Sequence, residues 1–150
     1  MKYASLKYND IVDGEGICVS LWTQGCPFHC EGCHNPETWD VNGGIEVPTD
    51  IKGRIVKAIS TNNIKRNFSI LGGEPLAPWN LQFVEEIVTA VRAAYPHIKI
   101  FLWTGYTLEA LKEKNDNHIN SILDKIDVLI DGPFVLSQRD ITLPLRGSSN

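Results

Sequence analysis

Three cysteines fall within one short stretch, Cys26-Pro-Phe-His-Cys30-Glu-Gly-Cys33, and a fourth, Cys18, stands apart in an apolar run. Thiolates are soft ligands suited to iron–sulfur clusters, zinc or copper(I). Three close thiolates can hold three corners of a [4Fe–4S] cluster, whereas a cluster held wholly by protein takes four. The missing fourth ligand leaves one iron free to bind something else. The same stretch also reads as a Cys3His zinc site completed by His29 or His34. An even count of four cysteines admits disulfides as a third reading. Clustered cysteines in a cytosolic chain of this size more often bind metal than cross-link. Spacing alone leaves cluster and zinc both open.

The elements that must position these residues alternate along the chain. Ile17 to Thr23 reads as a buried strand, and Gly25 then opens an irregular loop through the cysteines to about Gly44. Pro48-Thr49-Asp50 signals a helix start, and Ile51, Ile55, Val56 and Ile59 follow on one helical face. Phe68 to Leu71 is a short strand ended by Gly72-Gly73. Asn80 is placed to cap a helix in which Leu81, Val84, Ile87, Val88 and Val91 recur at helical spacing. Ile98 to Trp103 is a strand, Thr107 caps a helix from Leu108, a second helix covers Ile119 to Leu123, and Val128 to Ile130 is a last strand. Such alternation predicts an α/β fold with right-handed crossovers and a parallel sheet.

In parallel sheets the ligand site lies beyond the strands' C-terminal ends. Each distinctive segment here follows a strand: the cysteine loop, Gly72-Gly73-Glu74-Pro75, Thr104-Gly105-Tyr106 and Asp131-Gly132-Pro133. Four segments are therefore expected to meet on one rim. In isolation Gly-Gly-Glu-Pro also reads as a tight turn ahead of a helix. Cys18 reads as a small buried side chain. Trp39 and Trp79 read as loop-packing aromatics, and His97 and His118 as surface residues. Asp131 either orients a ligand or caps a turn with Gly132.

At 150 residues the chain is expected to form one domain, residues 1–150. A net charge of -4 and scattered Lys and Arg give no electrostatic reason to expect nucleic acid or an anionic membrane. No apolar run approaches the ~20 residues of a membrane helix. Polar residues from Met1 to Asp13 do not form a signal peptide. These features point to a soluble, cytoplasmic protein.

Cys-x3-Cys-x2-Cys after a first strand, with Gly-Gly-Glu-Pro after the second, resembles the radical S-adenosylmethionine superfamily. Asp13-Gly14-Glu15-Gly16, Gly25-Cys26-Pro27, Cys33-His34-Asn35, Thr38-Trp39, Trp103-Thr104-Gly105-Tyr106, Asp131-Gly132 and Arg146-Gly147-Ser148-Ser149-Asn150 narrow the likeness to the glycyl-radical activating enzymes. Within them it is most similar to the group serving anaerobic, class III ribonucleotide reductase. The pyruvate formate-lyase activating enzymes share only the first half of these segments. The likeness runs from about Tyr8 to the last residue.

The resemblance implies a trimmed, partial version of the superfamily's parallel βα barrel. It implies a [4Fe–4S] cluster on Cys26, Cys30 and Cys33, with the open iron chelated by S-adenosylmethionine. The cofactor would lie against Gly32, Cys33, His34, Gly72, Gly73, Glu74, Thr104 and Asp131. The Glu74 carboxylate would meet its ammonium group, and His34 is either an adenine contact or a structural residue. One electron breaks the sulfonium bond, and the resulting 5′-deoxyadenosyl radical takes a hydrogen atom from a glycine. That glycine lies on the large subunit of anaerobic ribonucleoside-triphosphate reductase. The family suggests a flavodoxin-like electron donor. No acid–base pair is required, and none is assigned.

Three departures accompany the likeness. Gly32 stands where many superfamily members carry an aromatic residue near adenine. Cys18 stands where relatives often carry a basic residue. Relatives continue past Asn150, often with Gln-Arg, so any role of those residues is absent or the chain is trimmed.

Overall fold

The computed structural model describes residues 2–33, 35–133 and 135–139. The elements among them follow in the order β1 (Lys2–Asp10), β2 (Cys18–Thr23), β3 (Ile45–Glu46), α1 (Ile51–Ile59), β4 (Asn67–Gly72), α2 (Leu81–Ala94), β5 (Ile100–Trp103), α3 (Leu108–Lys114), α4 (Asn117–Lys125) and β6 (Val128–Ile130). They build one six-stranded sheet in the order β3-β1-β2-β4-β5-β6. Strands β2, β4, β5 and β6 are mutually parallel, as the alternation predicts. β2 is buried at every position, the condition under which a strand reads as a continuous apolar run.

Two strands depart from the all-parallel expectation. β1 pairs antiparallel with β2, and β3 antiparallel with β1. β1 is only half-buried, and Lys2, Ser5 and Lys7 interrupt its apolar residues, so its sequence does not read as a strand. β3 spans two exposed residues and carries no pattern at all. The sheet is open, with β3 and β6 at its edges, and does not close into a barrel.

The core lies between one face of this sheet and the helices. Val19 and Leu21 from β2, Phe68 and Ile70 from β4, and Ile100 and Leu102 from β5 pack with Ile55 and Ile59 of α1, Ile87 and Val91 of α2, and Ile119 and Ile122 of α4. Helical spacing of the apolar residues puts them on one side, and the two-residue period of the strands does the same. That period sends Ser20, Trp22, Ser69 and Phe101 to the opposite face. The turn after β1 folds over it. Ser20 Oγ donates to Asp10 Oδ2 at 2.7 Å, and Ser69 Oγ donates to the Asp13 carbonyl at 2.6 Å. Cys18 is fully buried there, as expected of a small core side chain, with its thiol 3.5 Å from the Glu15 carbonyl.

The helix-start signals divide. Thr107 caps α3, its Oγ1 accepting the Ala110 amide at 3.2 Å. Asp50 and Asn80 occupy N-cap positions, yet neither side chain accepts a backbone amide of its own helix. Asp50 instead accepts from Arg54 Nε at 3.0 Å, and Asn80 reaches into the site described next. Among the described residues no helix is long and apolar enough to cross a membrane.

Candidate metal centre

The parallel strands end in register. Thr23 is opposite Gly72, and Trp103 is opposite Ile130. The loops leaving these ends are laced together by hydrogen bonds. Gly73 N donates to Thr23 O at 2.9 Å, and Glu74 N donates to Gly25 O at 2.8 Å. Thr104 N donates to Ile130 O at 3.0 Å, and Gly132 N donates to Tyr106 O at 2.9 Å. The four distinctive segments therefore meet on one rim, as the order of elements predicts.

The cysteine loop is closed at its base. Gly25 N donates to Thr38 O at 2.6 Å, and Cys26 N donates to Trp39 O at 3.1 Å. Gln24, 2% exposed, donates its side-chain amide to the carbonyls of Glu37 at 3.0 Å and Asp40 at 2.7 Å. Inside the loop, Cys33 N donates to Cys30 O at 3.1 Å, and Asn35 N lies 3.4 Å from Cys33 Sγ. The loop then docks through its side chains. The Phe28 ring meets Tyr106 edge-on at 4.9 Å, and it sits where a Cβ on Gly105 would be, 2.6 Å away. The His29 ring stacks on Trp39 at 4.7 Å. Gly32 has φ +76°, a backbone that side chains rarely adopt, and Leu136 Cδ1 lies 2.6 Å from where its Cβ would be.

Glu74 ties the second segment to the third. It is 1% exposed, and its carboxylate accepts from Leu76 N at 2.9 Å, Thr104 Oγ1 at 2.7 Å and Gly105 N at 2.7 Å. Burial pushes its carboxyl above the usual range, against the opposing pull of those donors. Burial also raises the Cys26 thiol, with the Glu74 carboxylate and Cys30 adding to it, while the amides of Phe28 and His29 pull it down. Tyr106 is raised by burial, by Glu74 and by Cys26, so its phenol stays protonated at neutral pH. These couplings place Cys26, Glu74 and Tyr106 in one electrostatic neighbourhood.

Asp131 is exposed, and its Oδ2 accepts the Leu108 amide at 2.8 Å at the start of α3. That bond fastens the end of β6 to α3 and is distinct from the turn with Gly132 that the sequence suggests. His34 and Arg146-Gly147-Ser148-Ser149-Asn150 lie outside the described residues. Gln24 and Asn80 were not expected at the site. The only signal for Gln24 is a polar residue closing an apolar strand immediately before Gly25.

All four cysteines are free thiols, which removes the disulfide reading. Among the described residues no three His, Cys, Asp or Glu side chains are gathered tightly enough for a single metal ion. A [4Fe–4S] cluster spreads its ligands over several irons, so three thiols on one loop fit it without converging on a point. The Trp39 indole Nε1, behind the same loop, is buried and has no acceptor among the described residues. Buried donors of this kind call for an absent partner.

Residues 12–150 match the family model described as a 4Fe-4S single cluster domain. The chain is 37% identical to the anaerobic ribonucleoside-triphosphate reductase-activating protein of Vibrio cholerae serotype O1, covering 100% of this chain and 95% of that protein. It is likewise 37% identical to the protein of that name from Escherichia coli K12, covering 100% and 96%. The enterobacteria phage T4 protein of the same name is 33% identical, covering 89% and 81%. The chain belongs to the family of anaerobic ribonucleoside-triphosphate reductase-activating proteins. As a member of that family it carries a 4Fe–4S domain, which decides between cluster and zinc. The cluster-domain match begins beyond β1, the strand that the sequence pattern also left unmarked.

Proposed function

We propose that this chain activates anaerobic ribonucleoside-triphosphate reductase by reductive cleavage of S-adenosylmethionine, leaving a glycyl radical on the large reductase subunit. Cys26, Cys30 and Cys33 hold the [4Fe–4S] cluster in this reading. A cluster held there would supply the one electron for reductive cleavage of S-adenosylmethionine to methionine and a 5′-deoxyadenosyl radical, which would take a hydrogen atom from the reductase glycine.

The observation that carries the reading is the direct backbone lacing of cysteine loop to Gly-Gly-Glu segment, Thr23 to Gly73 and Gly25 to Glu74. It sets thiols and strand-end backbone side by side, so a ligand held by both is oriented before reaction. Gly72 and Gly73 offer that backbone to the methionine end of the cofactor. A carboxylate has about four acceptor positions, and Glu74 has donors for three of them. A cofactor ammonium supplies the fourth and offsets the burial of the charge. Thr104 keeps Glu74 in place, Gly32 lends backbone to the cluster side, and His34 and Asp131 flank the nucleoside.

The four parallel strands with helices on one face support reading the fold as a trimmed βα barrel of the radical S-adenosylmethionine type. The side that a trimmed barrel leaves open is where the glycine loop of the reductase enters. A flavodoxin-like protein supplies the electron. The test is to mix the anaerobically reconstituted, reduced chain with S-adenosylmethionine and the large reductase subunit. A glycyl-radical doublet in electron paramagnetic resonance (EPR) supports the reading. No doublet with this subunit, but one with a pyruvate formate-lyase, reassigns the partner.

A further inference from the structure

The proposed chemistry needs the cysteine loop and the Gly-Gly-Glu strand end held at a fixed separation. One buried side chain bonds the main chain of both. Asn80 is 1% exposed, and its Nδ2 donates to the Gln24 carbonyl and to the Glu74 carbonyl, each at 3.0 Å. An asparagine at an N-cap ordinarily turns back onto the amides of its own helix. Here the side chain faces away from α2 and makes no such bond. The Gln24 carbonyl also accepts Trp79 Nε1 at 3.2 Å, while the Gln24 side chain grips the return limb of the cysteine loop at Glu37 and Asp40. Gln24 is thus the joint at the base of the loop, and Asn80 fastens that joint to Glu74.

We propose that Asn80 is a positioning residue, setting the distance between cysteine loop and Gly72–Glu74 and so the affinity for a cofactor held by both. It rests on the reading of the rim as the cluster and S-adenosylmethionine site. Asn80 touches neither group. Its effect reaches them through Gln24 and Glu74, where a displacement of about 1 Å is enough to matter.

Asn80→Ala, Asn80→Asp and Trp79→Phe test this in the full, anaerobically reconstituted chain. Iron and sulfide content and the EPR spectrum of the reduced cluster are read first. The change in that spectrum is then titrated with S-adenosylmethionine. Asn80→Ala is expected to keep the cluster and its cofactor-free spectrum, and to raise the half-saturating concentration about tenfold, as loss of two buried hydrogen bonds implies. Asn80→Asp, which turns a carboxylate onto two carbonyls, shifts it further, and Trp79→Phe shifts it less. Titrations matching the unsubstituted chain overturn the proposal. Cluster loss in step with the lost response in all three variants also overturns it, because the residue then only holds the fold. An unsubstituted chain whose loaded cluster shows no response to S-adenosylmethionine removes the underlying functional reading instead.

Discussion

The Gly25 carbonyl accepts the Glu74 amide at 2.8 Å and lies 2.5 Å from where a Cβ on Gly73 would stand. The cysteine loop and the second strand end are therefore in backbone contact, with no room for any side chain between them. Gly73→Ala is predicted to push the two apart at a cost of ~1–3 kcal/mol, the usual range for overpacking. Urea unfolding of the metal-free chain measures this directly. Unchanged stability would show that the contact is not as tight as described.

The four cysteines separate into two classes. Cys26, Cys30 and Cys33 share the rim loop, whereas Cys18 is fully buried on the sheet beneath the Asp13–Gly16 turn. Replacing any rim cysteine by alanine is predicted to give reconstituted protein without the brown cluster and without stoichiometric iron and sulfide. Cys18→Ala is predicted to keep the cluster and lose about 1 kcal/mol of stability through the small cavity. A colourless Cys18→Ala protein, or a normal cluster in any rim variant, contradicts the assignment.

Arg66 is 3% exposed and, among the described residues, bonds only uncharged acceptors: the Asn9 side-chain oxygen and the carbonyls of Ala58, Thr61 and Ile64. It binds the end of α1 to β1 and to the start of β4. Arg66→Met leaves those acceptors unpaired and is predicted to cost ~2–4 kcal/mol in unfolding free energy. Lysine, lacking the guanidinium fork, recovers only part of it.

Asp10 and Asp13 share a hydrogen bond below the sheet and titrate as a pair. Burial, helped by the Asp10 carboxylate, pushes Asp13 up to about 7. Burial acts upward on Asp10 too, but bonds from Asp13, Val12 and Ser20 outweigh it and bring Asp10 down to about 2. The raised group binds a proton more tightly folded than unfolded, so its contribution is complete below the ordinary carboxylate pKa and is lost as pH rises through about 7. The lowered group contributes above the ordinary value and loses that contribution as pH falls toward 2. Urea midpoints are predicted to fall between pH 5 and pH 8, and Asp13→Asn is predicted to flatten that decline. An equally steep decline in Asp13→Asn places its origin elsewhere.

What was legible in the sequence is what local pattern can carry. β2, β4, β5 and β6 are short apolar runs, and their order fixes where four loops must meet. β1 was illegible because it is only part-buried and its polar residues break the run. Asn80 has the residue type and position of a helix cap, and no local rule reveals that its partners lie at Gln24 and Glu74 instead. Glu74 was expected to face a ligand. That it also staples Thr104 and Gly105 depends on the approach of two strands that are distant in sequence.

The central claim is that a cluster on the rim cysteines cleaves S-adenosylmethionine. Its most direct test is the formation of 5′-deoxyadenosine by the reconstituted chain alone, with dithionite as reductant and without oxygen. The account predicts 5′-deoxyadenosine and methionine in equal amounts, absent from each of the Cys26→Ala, Cys30→Ala and Cys33→Ala proteins. A brown, fully loaded chain that leaves S-adenosylmethionine intact would contradict it.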